Sequence, residues 1–109
     1  MGILYKVLGQ ANPAANTNTT LYTVPSLTNT VVSTVTICNQ ANTPAWFNIA
    51  VQPAGASLVS KHYINYNTPV PGNDMVSLTL GITLGNTDVI SCNANTSTVS
   101  FNVFGSEIS

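Results

Sequence analysis

Cys38, His62, Asp74, Asp88 and Cys92 are the side chains of this 109-residue sequence with which chemistry could most readily be done. Nucleophilic catalysis needs a hydroxyl or thiol beside a base that a third group orients. His62, Asp74 or Asp88, and a serine would complete that inventory, yet no Gly-x-Ser-x-Gly or comparable context presents a serine for attack. Cys38 and His62 could form a thiol pair, but Cys38 lies on an alternating strand-like segment and nothing in its sequence surroundings activates it. A zinc site wants closely spaced Cys and His ligands, whereas His62, Cys38 and Cys92 are far apart. Calcium wants several carboxylates around a glycine-bearing loop, and Asn73-Asp74 and Asn86-Thr87-Asp88 supply one each. Both read as turns in which the side chain bonds its own backbone. Gly81 and Gly85 read as turn glycines, since no phosphate-cradling motif with its lysine accompanies them. The expectation is a protein without catalytic residues, metal or cofactor.

Charge is scarcer still. Lys6, Lys61, Asp74, Asp88 and Glu107 make up 5% of the chain, and there is no arginine. An ordinary soluble domain carries about a quarter of its positions as charged residues. Nucleic-acid binding draws its affinity from clustered cations on phosphates, and binding to anionic membranes does the same, so neither partner is expected. Thr, Asn and Ser must meet water instead. Neutral hydroxyls and amides are easily dehydrated against another protein, which suits a subunit of an assembly. The opening residues lack the basic start and long apolar middle of a secretory signal, and Lys6 stands where a myristoylation signal wants Ser or Thr. Synthesis in a cytosol is expected; Cys38 and Cys92 could pair across two sheets, but a reducing cytosol favours free thiols.

A chain of this length buries roughly 65% of its extended surface, enough for one core, so residues 1–109 read as a single domain. Period-2 alternation broken by Asn, Pro and Gly recurs along it without a sustained helical period. The fold class is all-β. Strands are expected over 3–8, 19–24, 30–38, 45–52, 61–66, 75–80, 89–92 and 98–104, with a loop over 9–18 and a turn region over 81–88. In the third, Val31, Val35 and Ile37 should face the core, with Thr34 and Thr36 opposite. In the fourth, Phe47, Ile49 and Val51 share one face and Trp46, Asn48 and Ala50 the other. In the fifth, His62, Ile64 and Tyr66 oppose Lys61, Tyr63 and Asn65. In the sixth, Val76, Leu78 and Leu80 should point inward. Eight short strands fit a compact antiparallel β-sandwich, jelly-roll or immunoglobulin-like in connection. The Cys38, Trp46 and Cys92 set has the composition of an immunoglobulin core, although Trp46 follows the first cysteine closely and shares its face with Asn48.

Function must then reside in the surface. Trp46, Tyr63 and Tyr66 are large amphipathic side chains that could anchor a protein neighbour or a sugar ring, or could pack in the core. Phe104 and Ile108 near the C-terminus, and Ile3 and Tyr5 on the apolar first strand, are candidates to cover a neighbouring subunit at an exposed or exchanged edge.

The segments YKVLGQANPAA (5–15), TLYTVP (20–25), the strand from Val31 to Asn39, AVQPAG (50–55), KHYI (61–64), LTLGITL (78–84) and FNVFGSE (101–107) together resemble small virion proteins of tailed bacteriophages, nearly end to end. The resemblance implies a β-sandwich that works by binding, as a capsid decoration (cement) protein or a tail-associated subunit. A cement subunit clamps the major capsid protein of the shell, commonly from local three-fold positions, which implies a homotrimer at the capsid surface of the virion. Many copies of a contact burying about 1,000 Å² each can stabilise a shell collectively. The alternative implied role is a tail, neck or fibre-associated protein that binds a host-surface glycan.

Overall fold

The computed structural model describes residues 2–109 apart from the side chain of Leu80, so the inward placement expected for Leu80 lies outside the described residues. Eight strands are formed: β1 (Ile3–Ala11), β2 (Thr19–Thr23), β3 (Asn29–Asn39), β4 (Ala45–Gln52), β5 (Tyr63–Val70), β6 (Asp74–Leu84), β7 (Val89–Ala94) and β8 (Val99–Ile108). They build two four-stranded antiparallel sheets, ordered β1-β8-β3-β6 and β2-β7-β4-β5. The pairs β1·β8, β2·β7, β3·β6 and β4·β5 are nested, as in one long hairpin whose arms are rolled together. The β3·β8 and β4·β7 ladders then close each sheet. This is jelly-roll connectivity, which decides between the two sandwich types.

Alternation along the strands fills the space between the sheets. Val32, Val35, Ile37, Val99, Phe101 and Val103 from the first sheet meet Phe47, Ile49, Val70, Ile90 and Cys92 from the second, all buried. At the centre Phe47 and Phe101 pack edge to face, with ring centroids 6.1 Å apart and planes at 71°. That geometry sets the positive edge of one ring on the negative face of the other.

Several strands run past the glycines and turns at which the sequence suggests a stop. β1 continues to Ala11 because its ladder with β8 extends to the Ala11↔Phe101 pair, and the loop opens only at Asn12. The Asn12 amide then holds that loop by donating to the carbonyls of Ser97 and Val99, at 3.0 and 2.8 Å. β6 passes through Gly81 to Leu84, since β3 offers it a partner as far as Thr30↔Leu84. Leu84 belongs to the core, and the turn region shrinks to 85–88. β7 continues past Cys92 to Ala94. β8 continues through Gly105, where a Cβ would stand 2.1 Å from the Val31 carbonyl oxygen, so this glycine permits close strand approach instead of breaking the strand.

Val31 is a second correction. It faces outward, because the ladder slips between Val32 and Thr34 and exchanges the faces beyond the slip. Val32 takes the core position. The register of β1 shifts at the same level, between Val7 and Gly9, so the irregularities align across the sheet beside Phe104 and Gly105. Bulges of this kind bend and twist a sheet, here over the end of its partner. β5 is the third correction, beginning at Tyr63, with Lys61 and His62 in a single 3-10 turn, Ser60–His62.

Candidate binding surfaces

The outer face of the β1-β8-β3 region collects four of the seven candidate interface residues. Strand parity places Ile3, Tyr5 and Val7 of β1 beside Ile108, Ser106 and Phe104 of β8, each directly opposite its cross-strand partner. Val31 of β3 extends the row opposite Ser106. Ile3 is 53% exposed and Tyr5 83%, while Phe104 and Ile108 are half-buried among them. Tyr5, Lys6, Val31, Ser33, Phe104, Gly105 and Ser106 line a shallow depression of about 320 Å³. β1 is an edge strand. Close contact with β2 at Gly9, where a Cβ would meet the Leu21 carbonyl oxygen at 2.1 Å, covers its far half. Toward the N-terminus Leu4 remains exposed although it alternates toward the sandwich interior, and Leu27 in the β2–β3 turn, at φ 59°, is exposed as well. A largely apolar face bordering a strand edge is a surface that soluble monomers avoid.

Beneath this face the scarce charges are used for structure. Glu107 alternates inward, where its Oε2 accepts a 2.5 Å hydrogen bond from the Tyr22 hydroxyl and its Oε1 lies 3.3 Å from Lys6 Nζ. The Tyr22 hydroxyl also lies 2.8 Å from the buried Thr30 hydroxyl. The Tyr22 bond and then Lys6 hold the Glu107 carboxyl below the usual carboxylate range. Burial, reinforced by the bond to Glu107, pushes the Tyr22 phenol up to about 12.

The residues that might have done chemistry are dispersed. Cys38 lies on the outer face of β3, paired with Met75 and Ser100, whereas His62 is buried against the other sheet with Nδ1 accepting the Val59 N–H at 3.1 Å. Asp88 accepts the backbone N–H groups of Ala54 and Gly85, each at 2.8 Å, which ties the β4–β5 loop to the β6–β7 turn. Asp74 accepts the N–H of Met75. Among the described residues no three His, Cys, Asp or Glu side chains gather. Both cysteines are free, and burial pushes the Cys92 thiol up to about 12.

The second sheet carries the other three aromatic candidates. Tyr63 and Tyr66, assigned by strict alternation to opposite faces, stack edge to face with centroids 5.1 Å apart. The β4·β5 register shifts around Ile49, which undoes the parity between them. With Leu58, Val59 and Ser60 they line a cleft of about 720 Å³. Trp46 is 48% exposed on the outer face of β4, opposite Pro69, so it is no immunoglobulin-type core residue. Beside it stand two amides that the sequence reading passed over, Asn67 and Asn95, with Asn93 opposite the next outward residue, Asn48. Asn48 links Asn67 and Asn93, accepting the Asn67 N–H at 2.6 Å and donating to Asn93 Oδ1 at 2.5 Å. Asn95 Oδ1 accepts the Trp46 N–H at 2.8 Å. The available signal was the Asn93-x-Asn95 spacing, with Asn93 on β7 and Asn95 one residue past its end, where its N–H donates to the Trp46 carbonyl at 3.1 Å.

The fold is shared with chains of two virus structures. The infectious bursal disease virus Gt strain gives a TM-score of 0.52 at 8% identity, over 97% of this chain and 30% of that one. The Gx strain gives 0.51 at 8% identity with the same coverage. The present chain thus spans under a third of the length of those chains, and the likeness is one of fold. No protein-family model and no curated protein matches the sequence.

Proposed function

We propose that this chain is a non-enzymatic structural subunit of a virion, of the capsid-decoration type found in tailed bacteriophages, and that it works as a homotrimer bound to the major capsid protein. The observation that carries this reading is the largely apolar outer face of β1 and β8, with Ile3, Tyr5, Val7, Phe104 and Ile108 in neighbouring register positions beside an open strand edge. Such a face gains free energy when covered, at about 25 cal/mol per Å² of apolar surface removed from water. The jelly roll shared with chains of a virus structure and the end-to-end resemblance to phage virion proteins support it. A head position needs a rigid scaffold and a repeated contact, and the short, nested ladders provide the first.

Light scattering on the purified protein should return a trimer, and Tyr5→Asp with Phe104→Asp should return a monomer that no longer adds to expanded capsids. Wild-type protein should raise the resistance of those capsids to heat. A stable wild-type monomer that never copurifies with particles would sink the proposal. Location in the tail by particle reconstruction would move the subunit to the second reading, a tail, neck or fibre component. The exposed Trp46 favours that second reading.

A further inference from the structure

We infer that the outer face of β4, β5 and β7 around Trp46 is a binding site for a neutral hexopyranose unit of a glycan. Trp46, Asn67 and Asn95 line a depression of about 290 Å³, and none of them is charged. That volume is at the lower end of small-ligand sites, a size for one ring rather than an extended drug-like molecule. Pro69, the cross-strand partner of Trp46, borders the indole on the strand beside it.

The hydrogen-bond pattern narrows the ligand class. The side-chain oxygens of Asn48, Asn93 and Asn95 each accept one hydrogen bond from the protein, and the Asn48 amide nitrogen donates one to Asn93. Among the described residues this leaves, at the depression, the Nδ2 group of Asn95 and the whole Asn67 carboxamide without hydrogen-bond partners in the protein. The site therefore offers neutral amide donors and acceptors, with no charged group among its lining residues, around a half-exposed indole. A pyranose presents the complement. One face of its C–H bonds can lie on the electron-rich aromatic face, and its hydroxyl lone pairs can accept from the amides. A carboxylated or sulfated sugar would find no cation to offset its dehydration. Asn67 holds φ 49°, a left-handed conformation that Asn tolerates better than most residues, and so the β5 irregularity keeps this amide beside Trp46. The inference holds whether the subunit sits on head or tail, and does not depend on the trimer.

Trp46 is the sole tryptophan, so its emission reports on the site directly. The purified full chain is screened against an array of neutral, sialylated and sulfated glycans, and the hits are titrated by fluorescence. The expected result is binding of neutral hexose-containing glycans with a shift in Trp46 emission. Affinity should fall at least tenfold in Trp46→Ala and several-fold in Asn67→Gly, which keeps the left-handed backbone while removing the amide. Tyr5→Ala, on the other sheet, should bind as wild type. Circular dichroism on each variant establishes that it is folded. Binding that survives Trp46→Ala, binding confined to anionic glycans, or an emission change driven only by protein concentration would each overturn the proposal. So would silence across every neutral hexose class.

Discussion

The Tyr22 hydroxyl donates to Glu107 across 2.5 Å and so joins β2 of one sheet to β8 of the other at the edge of the core. It occupies one of three acidic groups in the molecule, and a second contact engages one of two lysines. The charges of this protein are thus spent largely on holding the sandwich together.

That bond makes stability depend on pH at both ends. Glu107 has a lowered pKa in the fold, so its contribution is present above the ordinary carboxylate range and is lost as pH falls through the folded value. The stability advantage of wild type over Glu107→Gln should shrink steadily below about pH 4.5. Tyr22 has a raised pKa, so its contribution is complete below about pH 10 and is lost as pH rises toward the folded value of about 12. Tyr22→Phe should remove that alkaline loss while costing about 1–3 kcal/mol near neutral pH, because Thr30 and Glu107 lose their partner. Urea titrations at several pH values measure both, and parallel curves for wild type and Glu107→Gln through the acid range would contradict the assignment.

Gly105→Ala should be far more damaging than Gly81→Ala, although both glycines lie within strands. An added Cβ meets the Val31 carbonyl at 2.1 Å in the first case and nothing within 4 Å in the second. A cost of about 1–3 kcal/mol is expected for Gly105→Ala, or a drop in Tm of about 10 °C, as read by calorimetry. Equal melting temperatures for the two variants would show that the β3–β8 approach is not tight.

Phe47→Ala and Trp46→Ala are neighbouring truncations with opposite expectations. Phe47 is fully buried against Phe101, so its loss should cost about 3–5 kcal/mol. Trp46 is half-exposed, and its loss should leave the unfolding midpoint close to wild type. Comparable destabilisation by both would mean that Trp46 serves the core rather than a ligand.

The two thiols should differ sharply in reactivity. Cys92 is buried and its thiol is pushed up to about 12, while Cys38 is partly accessible on the outer face of β3. Iodoacetamide at pH 8 should modify Cys38 in the native protein and Cys92 only after denaturation, as followed by mass spectrometry. Rapid native labelling of Cys92 would contradict the packing described.

Part of this was legible in the chain. Alternation in β4 marks Phe47 and Ile49 as core because side-chain direction along a strand has a period of two, and the bounds 45–52 needed no tertiary information. The eight-strand count followed from the spacing of Asn, Pro and Gly. The boundaries of β6 and β8 were not legible, since only a neighbouring ladder carries a strand through Gly81 and Gly105. Val31 was misplaced for a related reason. A bulge is a relation between two strands, and its effect on parity is invisible in one of them.

The sequence by itself determined an all-β sandwich with a nearly neutral surface, because hydrophobic periodicity and charge content are local properties that no partner strand alters. Strand pairing in three dimensions makes the sandwich a jelly roll, sets Ile3 against Ile108 and Val7 against Phe104 on one outer surface, and brings Asn67 and Asn95 beside Trp46 on another. Those groupings join residues up to about a hundred positions apart. They depend on which strands pair and in what register, a choice made by the collective packing of both sheets.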